Sequence, residues 1–249
     1  MKIKPYILMG LIILLPALLG LTACGLNSEL PTDASANKKG GLQLNNVFGD
    51  SFTGSDNDGK PEKILNPTIA DIMKTGPLGD RSMGSENAPV TIIEYASLTC
   101  RFCKKFHQET FPVLKREYID KGKVRLILRE FPIGRTSGTA WIITRCADPS
   151  KYFRLYGEYL KLQHLWVSQE IRHEPIFKVA SKLGMSREKF NKCLKNQSII
   201  DGLTWVKERG RALGVFGTPS FFINGERVPK IISTNELRQK LDRLLAKSG

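Results

Sequence analysis

The run from Val90 to Ala96 is almost entirely apolar and β-branched, interrupted only by Thr91 and Glu94. Such a run suits a β-strand buried on both faces. The segments after it narrow the fold further. Thr99 is placed to cap a helix that begins at Cys100 and runs to about Tyr118, bent at Pro112. Lys123 to Phe131 then alternates through Val124, Leu126 and Leu128 and stops at Pro132, so it reads as a second strand. Strand, helix and strand at this length imply a right-handed parallel crossover. Residues 136–213 read as several helices, with helical spacing in Ile176, Val179, Ala180 and Leu183 and again in Phe190, Cys193 and Leu194. Ser220 to Ile223 and Arg227-Val228 flank Asn224-Gly225, a strong hairpin signal. Ser233 and Glu236 form a capping box, and Leu237, Leu241, Leu244 and Leu245 line one face of a last helix. The order is β-α-β, a helical insertion at about 136–213, then β-β-α: an α/β fold.

The one long apolar run, Tyr6 to Leu21, sits at the N-terminus behind Lys2 and Lys4 and is broken by Gly10, Pro16 and Gly20. It is short for a spanning helix and suits the apolar region of an export signal, which excludes a polytopic membrane protein. The run ends in Leu21-Thr22-Ala23-Cys24-Gly25. Leu-Thr-Ala-Cys resembles the lipobox of bacterial lipoproteins, in which the cysteine is diacylated and becomes the first mature residue. Residues 1–23 are then a signal peptide and Cys24 is the lipidation site; cleavage near Ala23 without a lipid, or an uncleaved anchor, are the alternatives. Several acyl chains at ~0.8 kcal/mol per buried methylene hold a protein stably on a membrane.

Residues 24–63 are rich in Asn, Ser, Gly, Asp and Lys without a period, and read as a flexible tether. The charges of signal and tether cancel, so the net +14 of the chain falls on residues 64–249. That stretch is long enough to bury a full core without a metal. An exported chain rarely meets nucleic acid, so the charge is read as a solvated surface, with anionic lipid headgroups an unspecific partner.

Five cysteines are an odd number, and an acylated Cys24 leaves two pairs, which an exported setting permits to be disulfides. Cys100-Arg101-Phe102-Cys103 places two thiols one turn apart at a helix start. There the backbone N–H groups and the helix dipole stabilise a thiolate, lowering a thiol pKa from ~8.5 to roughly 3.5–7.5. Arg101 adds a neighbouring positive charge. Cys100 is expected to be exposed and reactive, and Cys103 shielded and resolving. A zinc site would bring a second close pair, whereas Cys146 and Cys193 lie far apart in sequence. A c-type haem needs His after the second cysteine, and Lys104 stands there. Cys146 and Cys193, on apolar helix faces with no other partner remaining, are expected to form a structural disulfide. Glu94 inside its apolar strand is either an edge residue or a buried proton acceptor near Cys103. In Gly217-Thr218-Pro219-Ser220-Phe221, a proline opening a strand suits a cis bond, with a trans turn as the alternative.

Together these segments carry a resemblance. Ile92 to Cys103, Arg129-Glu130-Phe131-Pro132 and Gly217 to Gly225 are similar to the motifs of the DsbA family of thiol-disulfide oxidoreductases, over about residues 76 to 247. The resemblance implies a thioredoxin-like fold with an inserted helical subdomain. It implies Cys100 as nucleophile, Cys103 as resolving thiol, Glu94 as buried acid, and Thr218 and Pro219 in the loop facing the dithiol. Some members also carry a second, non-catalytic disulfide. Arg-Phe between the cysteines departs from the Pro-His of the best-known members and from the Gly-Pro of thioredoxin, which bears on oxidising strength.

The sequence therefore reads as a periplasmic or cell-envelope oxidase, lipid-anchored and monomeric, that introduces disulfides into reduced secreted polypeptides without cofactor or metal. A membrane partner resembling DsbB, or an equivalent quinone-linked oxidase, would reoxidise it. The alternatives are a reductase of the same fold or an isomerase, which usually carries a separate dimerisation domain, and a copper(I)-binding or non-catalytic lipoprotein. Copper sites of this kind often add Met or His ligands, and here only His107 is near.

Overall fold

A computed structural model of the chain describes residues 62–228 and 231–247. The expected signal, Cys24 and the tether up to residue 61 lie outside the described residues. The sheet has five strands in the order β1-β3-β2-β4-β5. They are β1 (Arg81–Met83), β2 (Val90–Ala96), β3 (Val124–Glu130), β4 (Ser220–Ile223) and β5 (Glu226–Val228). β2 runs parallel to β3, from Val90 opposite Val124 to Ala96 opposite Glu130, and antiparallel to β4, with Ile92 opposite Ile223. It is thus the middle strand, and all of it but Thr91 is buried.

Successive residues of β2 point to opposite faces, and each face is covered. Val90 and Ile92 pack with Leu126, Phe221 and Ile223 under Phe106, Leu114 and Tyr118 of the crossover helix and Leu237 and Leu241 of the last helix. Ile93 and Tyr95 pack with Ile127 and Phe222 under Ile72, Val206 and Leu213. A third cluster continues from Ala96, Leu98 and Leu128 at the end of the sheet into the helices between β3 and β4, and it includes Cys103.

Of the helices, α1 is Ile69–Met73, and α2 is the crossover helix over residues 101–119. α3 (Gly134–Cys146), α4 (Tyr152–Lys161), α5 (Gln163–Trp166), α6 (His173–Ser181), α7 (Arg187–Cys193) and α8 (Gln197–Ala212) lie between β3 and β4, and α9 (Thr234–Leu245) closes the domain. α2 is continuous but not uniform. Its π-helical stretches Phe106–Thr110 and Lys115–Ile119 flank the α-turn Phe111–Leu114 that contains Pro112. Proline supplies no N–H, and the Phe111 amide reaches back five residues to the Phe106 carbonyl, so the ladder changes register around it. Asn224 and Gly225 turn the β4–β5 hairpin with positive φ of 47° and 82°.

Two elements before β2 have no counterpart in the sequence reading. α1 is five residues long, capped by Thr68 and Asp71 in a reciprocal box, and β1 has three residues opposite Leu128 to Leu126. Buried arginines fasten this segment. Arg129 donates to Asp80, to the carbonyls of Ile72, Met73 and Lys74, and to the Tyr95 hydroxyl. Arg145 pairs with Glu130 and donates to the carbonyls of Leu78 and Gly79. Both charges satisfy nearly all their donors, which burial of a guanidinium requires.

Cys146 at the end of α3 is bonded to Cys193 at the end of α7, with 5.8 Å between the Cα atoms. The bridge closes a 47-residue separation, for which chain-entropy accounting gives about 4 kcal/mol. Cys146→Ala with Cys193→Ala should lower the unfolding free energy by about 2–4 kcal/mol in denaturant titration. Cys100 alkylation in the folded protein should stay unchanged.

Candidate active site

Cys100 is the N-cap of α2, with extended backbone, and Arg101 is the first helical residue. The expected cap, Thr99, does not serve: its hydroxyl donates instead to the Ile133 carbonyl. Thr99 precedes the helix by one residue too many, and its position is used to tie the loop to the start of α3. The Ser97 hydroxyl bonds Ser137 and accepts from the Ile133 amide, and Ser137 accepts from the Leu98 amide. Gln163 reaches in from α5 and donates to the carbonyls of Leu98 and Cys100 at 2.8 and 3.1 Å. The loop that presents Cys100 is therefore held from both α3 and α5.

The two thiols differ sharply. Cys103 is fully buried in the helical cluster, while Cys100 keeps partial exposure. The Cys100 pKa falls from the ordinary 9.0 to about 6. The hydrogen bond from the Cys103 thiol is the main cause; the Thr218 side chain and the amides of Cys103 and Phe102 add to it, and partial burial opposes it. Cys103 is held well above the ordinary thiol range, first by burial and then by donation to Cys100 and the nearby charges of Cys100 and Glu94.

Thr218 meets Cys100 from the other side. In the dithiol the Cys100 thiol donates to the Thr218 carbonyl at 3.0 Å, a contact that favours the protonated form. The Thr218 hydroxyl is buried without a partner among the described residues, which leaves it free to donate once the thiolate forms. The Thr218–Pro219 peptide is cis.

Glu94 on β2 is 1% exposed, and burial lifts its carboxyl from 4.5 to about 8. Tyr156 of α4 donates to it at 3.4 Å. The Arg101 guanidinium lies 4.7 Å from the centre of the exposed Phe102 ring, while the Cys103 thiol, Thr218 and the amides of Cys103 and Phe102 are the main groups that lower the Cys100 pKa. His107 is stacked on Phe111 and kept neutral by burial, with its pKa lowered to about 4. Among the described residues no group of three or more His, Cys, Asp and Glu side chains is placed to hold a metal. Nor is any described helix long and apolar enough to cross a membrane.

Gln163 and Tyr156 carry no local signal in the sequence, because each reaches the site only through the packing of a separate helix. The arrangement joins a nucleophilic, partly exposed thiolate to a buried neutral thiol with a protonated acid close by. That is the equipment for exchanging a disulfide with another thiol. Since donation from Cys103 is the main cause of the low Cys100 pKa, Cys103→Ala should move the Cys100 thiolate absorbance titration upward from about 6. An unmoved midpoint would assign the stabilisation to the helix-start amides and Thr218.

The sequence pattern of the family described as Thioredoxin matches residues 77–243. A Rickettsia conorii protein named as a protein-disulfide oxidoreductase is 33% identical over 171 residues, covering 66% of this chain and 61% of its own. A Bacillus anthracis protein named as disulfide bond formation protein D is 29% identical, covering 67% of this chain and 79% of its own. The match thus spans about three fifths of the length of the Rickettsia relatives, 61% and 62% in two of them. The crystal structure of α-DsbA1 from Wolbachia pipientis is similar at a TM-score of 0.66 and 26% identity, over 73% of this chain and 98% of that one.

Proposed function

The chain belongs to the thioredoxin family, among its DsbA-like members, and on that premise we propose that it is an exported thiol-disulfide oxidase that passes the Cys100–Cys103 disulfide to secreted polypeptides. The observation that carries this reading is the unequal pair of thiols. A thiolate exists only in the reduced enzyme, so whatever stabilises it makes the disulfide form the better oxidant. The names of the relatives, protein-disulfide oxidoreductase and disulfide bond formation protein D, support the reaction class.

A substrate thiolate attacks the Cys100 sulfur. The Cys100–Cys103 bond breaks, a mixed disulfide forms, and Cys103 leaves. Cys103 cannot remain a thiolate in its apolar surroundings, and protonated Glu94 is the acid at hand. The substrate's second thiolate then attacks the substrate sulfur of the mixed disulfide, closing the new disulfide and releasing Cys100 as thiolate. Two electrons have passed to the enzyme, and a quinone-linked membrane oxidase of the DsbB kind would remove them. Thr218 and Pro219 form the wall against which the substrate lies.

The test is the equilibrium of the protein against glutathione, read by thiol alkylation. The reading expects a potential above that of thioredoxin, about −270 mV. It also fixes a pH dependence. The folded pKa of Cys100 is depressed, so its stabilisation of the dithiol is complete only above about pH 9 and disappears as the pH falls through about 6. In denaturant, the dithiol should be more stable than the disulfide form at pH 8, less so at pH 7, and without that advantage at pH 5. A disulfide form that is the more stable at pH 8 would point to a reductase.

Placement in the cell envelope through an acylated Cys24 belongs to the same reading, since a tethered oxidase stays close to emerging chains. Cys24→Ala should release the protein from the membrane fraction. Retention of that variant at precursor mass would mean an uncleaved anchor instead.

A further inference from the structure

We propose that Tyr156 is the positioning residue for Glu94, its phenol O–H stabilising the carboxylate that remains when Glu94 gives its proton to the departing Cys103. This rests on the reading of Glu94 as the acid for Cys103. The geometry supplies two independent supports. First, the hydroxyl donates to Glu94 Oε1, inside a site where both residues are almost fully buried. Second, the ring cannot swing away. It lies flat against Trp141 of α3, with centroids 5.5 Å apart and planes 14° apart, and meets the edge of His107 from α2 at 5.3 Å. His107 is itself stacked on Phe111. Gly157, the next residue of α4, leaves the room this needs, because a Cβ there would stand 2.8 Å from His107 Nε2. Three helical elements thus aim one O–H at one carboxyl.

Among the described residues the titratable groups facing the pair are few. Cys100 and Cys103 approach from α2, Tyr152 stands one turn earlier on α4, and His107 packs on the ring. The neighbours of Glu94 across the sheet, Leu128 and Phe221, are apolar. Burial keeps His107 neutral above about pH 4 and holds Tyr152 and Tyr156 protonated well above 10. Between pH 5 and 9, then, among the described residues only Cys100 and Glu94 change charge in this pocket, and in the oxidised protein Cys100 has no proton to lose.

The step balances without any further reactant. The proton leaves the Glu94 carboxyl for the Cys103 sulfur, the electron pair of the broken S–S bond having gone to Cys103, and solvent later reprotonates Glu94. A hydrogen bond to the carboxylate makes Glu94 the stronger acid. Removing it should raise the Glu94 pKa and weaken proton donation.

The experiment is single-turnover reduction of the oxidised protein by a reduced dithiol peptide between pH 5 and 9. Each variant is divided by wild type so that ionisation of the peptide cancels, and the carbon NMR shift of the Glu94 carboxyl reports its titration. Tyr156→Phe should slow the reaction about threefold at pH 7 and move the Glu94 titration up from its wild-type midpoint by roughly one pH unit. On a Glu94→Gln background, which is itself slow, Tyr156→Phe should change nothing further. 3-Fluorotyrosine at position 156, a stronger donor of the same shape, should move the titration down, and it serves alone if the Phe variant does not fold. If Glu94→Gln is slow but neither variant at 156 moves the Glu94 titration, the role of Tyr156 is refuted and the acid role of Glu94 stands. If Glu94→Gln reacts at the wild-type rate, the acid role falls and this inference with it.

Discussion

A carboxyl group on a strand covered on both faces must keep its proton or be compensated where it lies. Glu94 occupies such a place, and little else in the site makes sense without its burial. Moving an isolated charge into an apolar interior costs far more than a folded domain can spare, so the group answers by changing its acidity. β2 is the central strand and Glu94 is 1% exposed, so any proton it gives or takes passes first to a neighbour, and Cys103 is among those neighbours.

The same covering separates the two cysteines. Three residues apart on one helical turn, they meet different solvents: the helix start and partial exposure for Cys100, the helical cluster for Cys103. The helices between β3 and β4 are therefore part of the chemistry and not merely a lid on the sheet. They supply the apolar wall around Cys103, the amide of Gln163 that holds the Cys100 loop, and the phenol that meets Glu94. The disulfide between Cys146 and Cys193 braces this layer away from the reactive pair.

Much of this was legible in the residues, for identifiable reasons. An unbroken apolar run such as β2 leaves few choices, and a strand-helix-strand order leaves one hand. Asn224-Gly225 announces its turn because few residues tolerate two successive positive φ angles. The Cys-x-x-Cys pair places its own helix start. Illegible were the short pieces, α1 and β1, which are too brief to show a period and are held by arginines from β3 and α3. Thr99 looked like a cap because its type suits one, yet a carbonyl across the loop claimed its hydroxyl. The charge of Arg101 does not say where its side chain lies, and its guanidinium rests over the neighbouring Phe102 ring. In each instance a partner distant in sequence, or a rotamer, decided what the residue type left open.

The position of β4 in the chain has a consequence for how the site comes into being. β4 pairs with β2 across about 130 residues, among the longest-range contacts in the domain, and such pairings form late because loop closure must precede any reward. The helices in between close shorter loops, the Cys146–Cys193 bridge spanning 47 residues, and need not wait. Thr218, the residue whose carbonyl meets Cys100, arrives only with β4. A chain emerging N-terminus first therefore carries its two reactive thiols for some time beside a folded helical layer but without the wall that shapes their reactivity. The protein would complete its dithiol site as one of the last acts of its folding, and in that interval its own thiols would be as open to exchange as those of any reduced chain.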